Sequence, residues 1–139
     1  MIRALQLHNF KCFEDQLIDL QALTLLSGLN GTGKSTVLQS LLLLRQSFQQ
    51  GRLPDVGLSL NGDLARIGTA SDALFMDAKD DHIGFDLVLG DGWQARWRFN
   101  YNRAADVLAL DSPYPDPHVY DTSLFGANFH YLHGGSALT

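Results

Sequence analysis

The sequence predicts an α/β fold in which a strand, a glycine-rich loop and a helix form a core, followed by an antiparallel β-meander. Three observations predict it. Ala22-Leu23-Thr24-Leu25-Leu26-Ser27 puts apolar groups on both faces, the mark of a central strand covered on both sides. Gly28-Leu29-Asn30-Gly31-Thr32-Gly33-Lys34-Ser35-Thr36 follows directly, and a leucine-rich stretch with helical spacing comes next. Further on, Trp93, Ala95, Trp97, Phe99 and Tyr101 alternate with Gln94, Arg96, Arg98 and Asn100, as a sheet with one buried face requires.

The elements follow in order. Ile2 to Phe10 reads as a first strand, with Leu5 and Leu7 on one face and Gln6 and His8 on the other. Lys11 to Asp15 is a polar turn, and Gln16 to Leu20 a short second strand that pairs back as a hairpin beside the Ala22–Ser27 strand. The helix is predicted from about Gly33 to Gln50. Leu38, Leu41, Leu42, Arg45 and Phe48 give one stripe, and Val37, Leu41, Leu44 and Phe48 a parallel one, so the apolar arc is wide. Gly51 suits the residue after the helix end, and Pro54 blocks continuation.

From Leu58 the character changes. Leu58-Ser59-Leu60 before Asn61-Gly62 reads as strand and tight turn, with Leu64 to Gly68 completing a loose hairpin. Thr69 to Ala78 holds a short helix capped by Ser71 or Asp72. Strands follow at Ile83 to Leu89, Trp93 to Tyr101 and Val107 to Leu110, the first two joined by Gly90-Asp91-Gly92. Three prolines between Asp111 and Pro117 exclude a regular ladder there. Asn128 to Leu132 is a candidate last strand. The chain thus reads as one lobe, residues 1–139, with a loop-centred core at 1–52 and an antiparallel β-rich part at 53–139.

Gly28 to Thr36 fits the pattern G-x-x-x-x-G-K-[ST] at every required position, in the strand–loop–helix setting that gives the pattern its meaning. Backbone N–H groups must approach a triphosphate closely, and side chains at Gly28, Gly31 and Gly33 would obstruct them. The helix then starts under the phosphates with its free N–H groups and positive dipole end aimed at them. Asn30, Thr32 and Thr36 complete the loop. Lys34 is placed for the β- and γ-phosphates, and Ser35 for Mg²⁺. The expected ligands are therefore ATP and Mg²⁺.

Composition narrows the alternatives. The chain is 45% hydrophobic and 18% charged, ordinary for a globular domain. Its 139 residues suffice to bury roughly two-thirds of the unfolded surface. A net charge of −5 argues against nucleic-acid binding by bulk electrostatics. That charge is uneven: residues 1–52 carry +2 and residues 53–139 carry −7. Cys12 is the only cysteine, so no internal disulfide forms. No apolar run exceeds that of Leu41 to Leu44, so no membrane span is expected, and a cytoplasmic setting is the default.

Hydrolysis also needs an acid at the end of an apolar strand and a group that positions water. Val107-Leu108-Ala109-Leu110-Asp111 is the best candidate, though no glutamate follows Asp111, and a plain meander strand is the preferred reading. Leu132-His133-Gly134-Gly135-Ser136 resembles an L-S-G-G-Q signature without the helix that should follow it. His130 and His133 lack the further ligands a metal site needs. Trp93, Trp97 and Phe99 beside Arg96 and Arg98 offer a conceivable base-stacking face. Strict alternation instead puts the aromatics in a core and the arginines in solvent.

These residues together carry a resemblance. Asn9-Phe10-Lys11 with Phe13, then Leu23 to Thr36, resembles the N-terminal lobe of ABC-type ATPases, and within them the RecF/SMC-like and AAA-family ATPases. The likeness is specific over about residues 1–50, extends to Leu38–Gln46, and reaches Leu60-Asn61-Gly62 with Ile67-Gly68. It implies that Asn30 through Thr36 contact phosphates and Mg²⁺ and that residues near Phe10 to Phe13 lie near the nucleoside. It implies ATP hydrolysis to ADP and phosphate by a head-to-tail dimer, or with a C-terminal lobe or partner subunit supplying the Walker B acid and signature. On that resemblance the chain looks like the N-terminal piece of a longer ATPase or a truncated copy. Two other readings stay open: a nucleotide-binding or interaction module without turnover, and the ATPase lobe of a DNA-repair or phage-defence protein acting on nucleic acid.

Overall fold

The computed structural model describes residues 2–11, 13–19, 31–53, 56–90, 92–111, 114–121 and 124–125. Within them the chain forms β1 (Ile2–Phe10), β2 (Phe13–Asp19), α1 (Gly31–Gln49), β3 (Gly57–Ser59), α2 (Ala70–Ala73), β4 (His82–Leu89), β5 (Gln94–Asn100), β6 (Val107–Asp111) and a 3₁₀ turn (Pro117–Asp121). The six strands make one antiparallel sheet in the order β2-β1-β4-β5-β6-β3. The Ala22–Ser27 strand, the Asn128–Leu132 strand, the signature-like stretch, and His130 and His133 lie outside the described residues.

Alternation sets the two faces of the sheet. Leu5 and Leu7 on β1, Ile83, Phe85 and Leu87 on β4, Ala95, Trp97 and Phe99 on β5, and Leu108 and Leu110 on β6 all face the core. Phe85 meets Phe10 edge-on at 5.1 Å and Phe99 at 5.8 Å. Burying each such ring contributes about 1.5–3 kcal/mol. The aromatics of β5 are therefore core residues, as alternation predicted, and present no stacking face. β2 buries only Ile18 and lies at one end of the described sheet. At the opposite end, Gly57 of β3 passes so close to Leu108 that a side chain would drive its Cβ into the Leu108 carbonyl.

Helix α1 is buried on every side from Ser40 to Ser47, which extends the wide arc its leucines predicted. It starts at Gly31, two residues before the expected Gly33, and closes as foreseen. Gly51, at φ 74°, donates to the Phe48 carbonyl and Arg52 to that of Ser47, both at 2.9 Å. Polar side chains on this buried helix are engaged. Ser47 Oγ donates to the Leu43 carbonyl at 2.6 Å and accepts from Ser59 N–H at 2.7 Å. Arg45, its pKa lowered by burial, donates to the Leu124 carbonyl at 2.7 Å.

Three local expectations change. Strand β2 begins at Phe13 instead of Gln16, because Phe13 and Asp15 already pair with Phe10 and His8 where the sequence predicts a polar turn over Lys11 to Asp15. The short helix spans only Ala70–Ala73, and its N-cap is Thr69 instead of Ser71 or Asp72. Asp72 stands at the third helical position, where its carboxylate reaches back to accept from Thr69 N–H at 2.9 Å. The Leu64–Gly68 arm forms no strand beyond an Asn61–Arg66 bridge. Asn61 holds that loop with its own amide, donating to the Gly68 carbonyl at 2.8 Å and accepting from Gly68 N–H at 3.0 Å.

Candidate nucleotide site and the charged sheet face

Gly31, Thr32, Gly33, Lys34, Ser35 and Thr36 all fall in the first two turns of α1. The leading N–H groups of such a helix have no intrahelical partner, and its dipole makes that end positive. An acid in the first turn would answer that field, and α1 has none there. A helix start without an acid is compatible with an anion at its N–H groups. Thr36 is buried, 2% exposed. Gly28 and Asn30 lie outside the described residues.

The turn after β1 is more constrained than its sequence suggested. Asn9 and Lys11 take φ of 54° and 53°, a left-handed conformation that asparagine tolerates better than lysine does. Partners hold it in place. Asn9 Nδ2 donates to Asp80 Oδ1 at 2.8 Å and to the His82 carbonyl at 2.9 Å. The Asn9 carbonyl accepts from Phe75 N–H at 2.8 Å, and Lys11 N–H donates to the Ala73 carbonyl at 2.7 Å. Phe10, fully buried, anchors the turn to the core.

The outer face of the sheet carries a charged row that sequence reasoning missed. Register places Asp15, His8, Gly84, Arg98 and Asp111 side by side across five strands. Gly84 offers no side chain, so Arg98 lies over it and reaches Asp86 with bonds of 2.5 and 3.3 Å. His8 Nε2 approaches Asp86 Oδ2 at 3.2 Å, and Arg96 Nε stands at 3.8 Å. Arg96 faces solvent as expected, whereas Arg98 is half-buried in this network because its partner is a sheltered carboxylate. Beside it opens a groove of about 260 Å³ lined by Asn9, Lys79, Asp80, His82 and Arg98 among others. The sequence signal for the row is the set of outward polar residues on β1, β4 and β5; only the register joins them.

Burial pushes the Asp86 carboxyl up, but the hydrogen bond and charge of Arg98, aided by those of His8, outweigh it and hold the group below its ordinary value. A carboxyl lowered in the folded state contributes stability above its unfolded pKa and loses it as pH falls through the folded one. Asp86→Asn is therefore expected to cost about 1–2 kcal/mol at neutral pH. It should also flatten the loss of stability below about pH 4. Urea titrations at stepped pH measure both effects.

Asp111, the candidate metal-holding acid, ends a strand inside the antiparallel meander and lies 3.4 Å from His82 Nε2. β6 is thus a meander strand, the preferred reading. Among the described residues no group of three or more His, Cys, Asp or Glu is arranged to hold a metal. No described helix is long and apolar enough to cross a membrane.

A family model described as an AAA ATPase domain matches residues 1–86, more than half of the chain. No curated protein matches, and no solved structure matches.

Proposed function

Since the chain belongs to the AAA ATPase domain family, we propose that it binds Mg·ATP through Gly28 to Thr36, as the N-terminal lobe of an ABC-type, RecF/SMC-like ATPase. One observation carries this reading. A 19-residue helix opens at Gly31, within the matched segment, with no acid in its first turn, where the sequence supplies G-K-S-T.

In this reading the N–H groups of Gly28, Asn30, Gly31, Thr32 and Gly33 cradle the phosphates, and those of Lys34 to Thr36 extend the cradle along the helix start. Lys34 bonds the β- and γ-phosphates and stabilises the charge that builds as water attacks the γ-phosphorus in line. The Ser35 hydroxyl would hold Mg²⁺, which would supply charge neutralisation for the triphosphate. The group that orients water comes from a C-terminal lobe, a partner subunit, or a second copy paired head to tail.

A second reading is favoured by one observation, the antiparallel placement of β6 and the pairing of Asp111 with His82. With that acid committed to the meander, the chain binds nucleotide without turning it over. Phosphate release and ATP titration of the 139-residue chain separate the two. Lys34-dependent release overturns the second reading and makes the head-to-tail pair sufficient, whereas saturable Mg·ATP binding without release puts the water-orienting group outside these 139 residues. Absence of binding overturns both.

A further inference from the structure

His8 on β1 stands between carboxylates of two other strands. Its Nδ1 lies 3.1 Å from Asp15 Oδ1 on β2, and its Nε2 lies 3.2 Å from Asp86 Oδ2 on β4. A neutral imidazole has one N–H and one lone pair in either tautomer. It can donate to one of these carboxylates, and it then turns a lone pair on the other. Both contacts are attractive together only when the ring carries both protons.

We propose that protonated His8 straps β2 to the middle of the sheet, and that loss of one proton releases the Asp15 end of the strap. The inference does not depend on nucleotide binding. The order of release follows from burial. The Asp86 side chain is 13% exposed and keeps its ring contact, whereas that of Asp15 is 60% exposed and can turn to water.

The charges around the ring favour the same order. On β5, Arg98 binds Asp86 through two nitrogens and Arg96 stands nearby, so Arg98 is the main compensation for Asp86 and the ring the lesser one. Around the groove β2 also brings Glu14, and the segment before β4 brings Lys79 and Asp80, the latter bound by Asn9. On β4 itself, His82 lines the same groove and pairs with Asp111 at 3.4 Å. Asp15 is thus the acid that relies on the His8 proton. Gln6 Nε2 donates to the same Asp15 oxygen at 2.7 Å, a neutral tether that remains after the strap opens. β2 feels the change because, among the described residues, its ladder with β1 is supplemented only by buried Ile18 and partly buried Phe13.

Amide hydrogen exchange tests this on the full chain, with the His8 ring followed by NMR over the same pH series. Protection of Glu14 to Leu17, corrected for intrinsic base catalysis, should fall as His8 titrates to neutral, by up to about fivefold, the range of a partly exposed ion pair. The step should vanish in Asp15→Asn and in His8→Gln and persist in His82→Gln. Equal protection on both sides of the His8 titration overturns the proposal. So does a step that survives in Asp15→Asn, a substitution at an exposed position that leaves the core intact.

Discussion

Lys34→Ala is expected to weaken Mg·ATP binding by roughly 10- to 100-fold, the loss of one or two charge-assisted hydrogen bonds to phosphate. The unfolding transition should stay where it is. Alanine is the best helix former, so the start of α1 keeps its backbone, and the loop keeps its N–H groups. Only the point charge that meets the β- and γ-phosphates goes. Calorimetric titration with Mg·ATP, paired with thermal unfolding of the same sample, separates loss of ligand from loss of fold. Unchanged affinity would remove Gly28 to Thr36 from the nucleotide site.

The second large effect sits at the other end of that helix. Gln46, 2% exposed, uses both ends of its amide. Its Nε2 donates to the carbonyls of Ser59 and Ala65, each at 3.0 Å, and its Oε1 accepts from Leu64 N–H at 3.1 Å and Ala65 N–H at 2.9 Å. One side chain thereby pins the 59–65 loop to α1. Gln46→Leu conserves bulk but strips two backbone N–H groups of their acceptor, at an expected cost of about 2–4 kcal/mol. Chemical denaturation should show a lower midpoint with an unchanged slope. If Gln46→Leu is as stable as the parent, the loop is held by other means.

The parts of this fold legible in the sequence are those decided by near neighbours. Trp93 to Tyr101 announces its strand because each side chain goes to the face opposite its neighbour's. The Gly51 helix stop and the Gly90–Gly92 hairpin are likewise written within a few residues. Thr69 was missed as a cap because Asp72, a good cap in isolation, serves better one turn on by reaching back. The charged row was invisible for a different reason. His8, Asp15, Asp86 and Arg98 are scattered over four strands, and only the pairing of β1 with β4 brings them together. The proposed phosphate loop is the opposite case. The pattern behind that proposal is contained in nine consecutive residues from Gly28 to Thr36, so it is read without any long-range pairing.

The pairing of β1 with β4 also sets a schedule. Ile2 faces Leu89 and His8 faces Gly84, so β1 waits for a partner that is synthesised much later. Closing so long a loop costs chain entropy before any contact repays it, and folding rates fall with that separation. Until β4 arrives, β1 has only the local hairpin with β2 to shelter Leu5 and Leu7. Helix α1 and strand β3, which lie between them in sequence, are drawn into place when that ladder zips. Helix α1 is therefore an early stretch of sequence and a late product of folding.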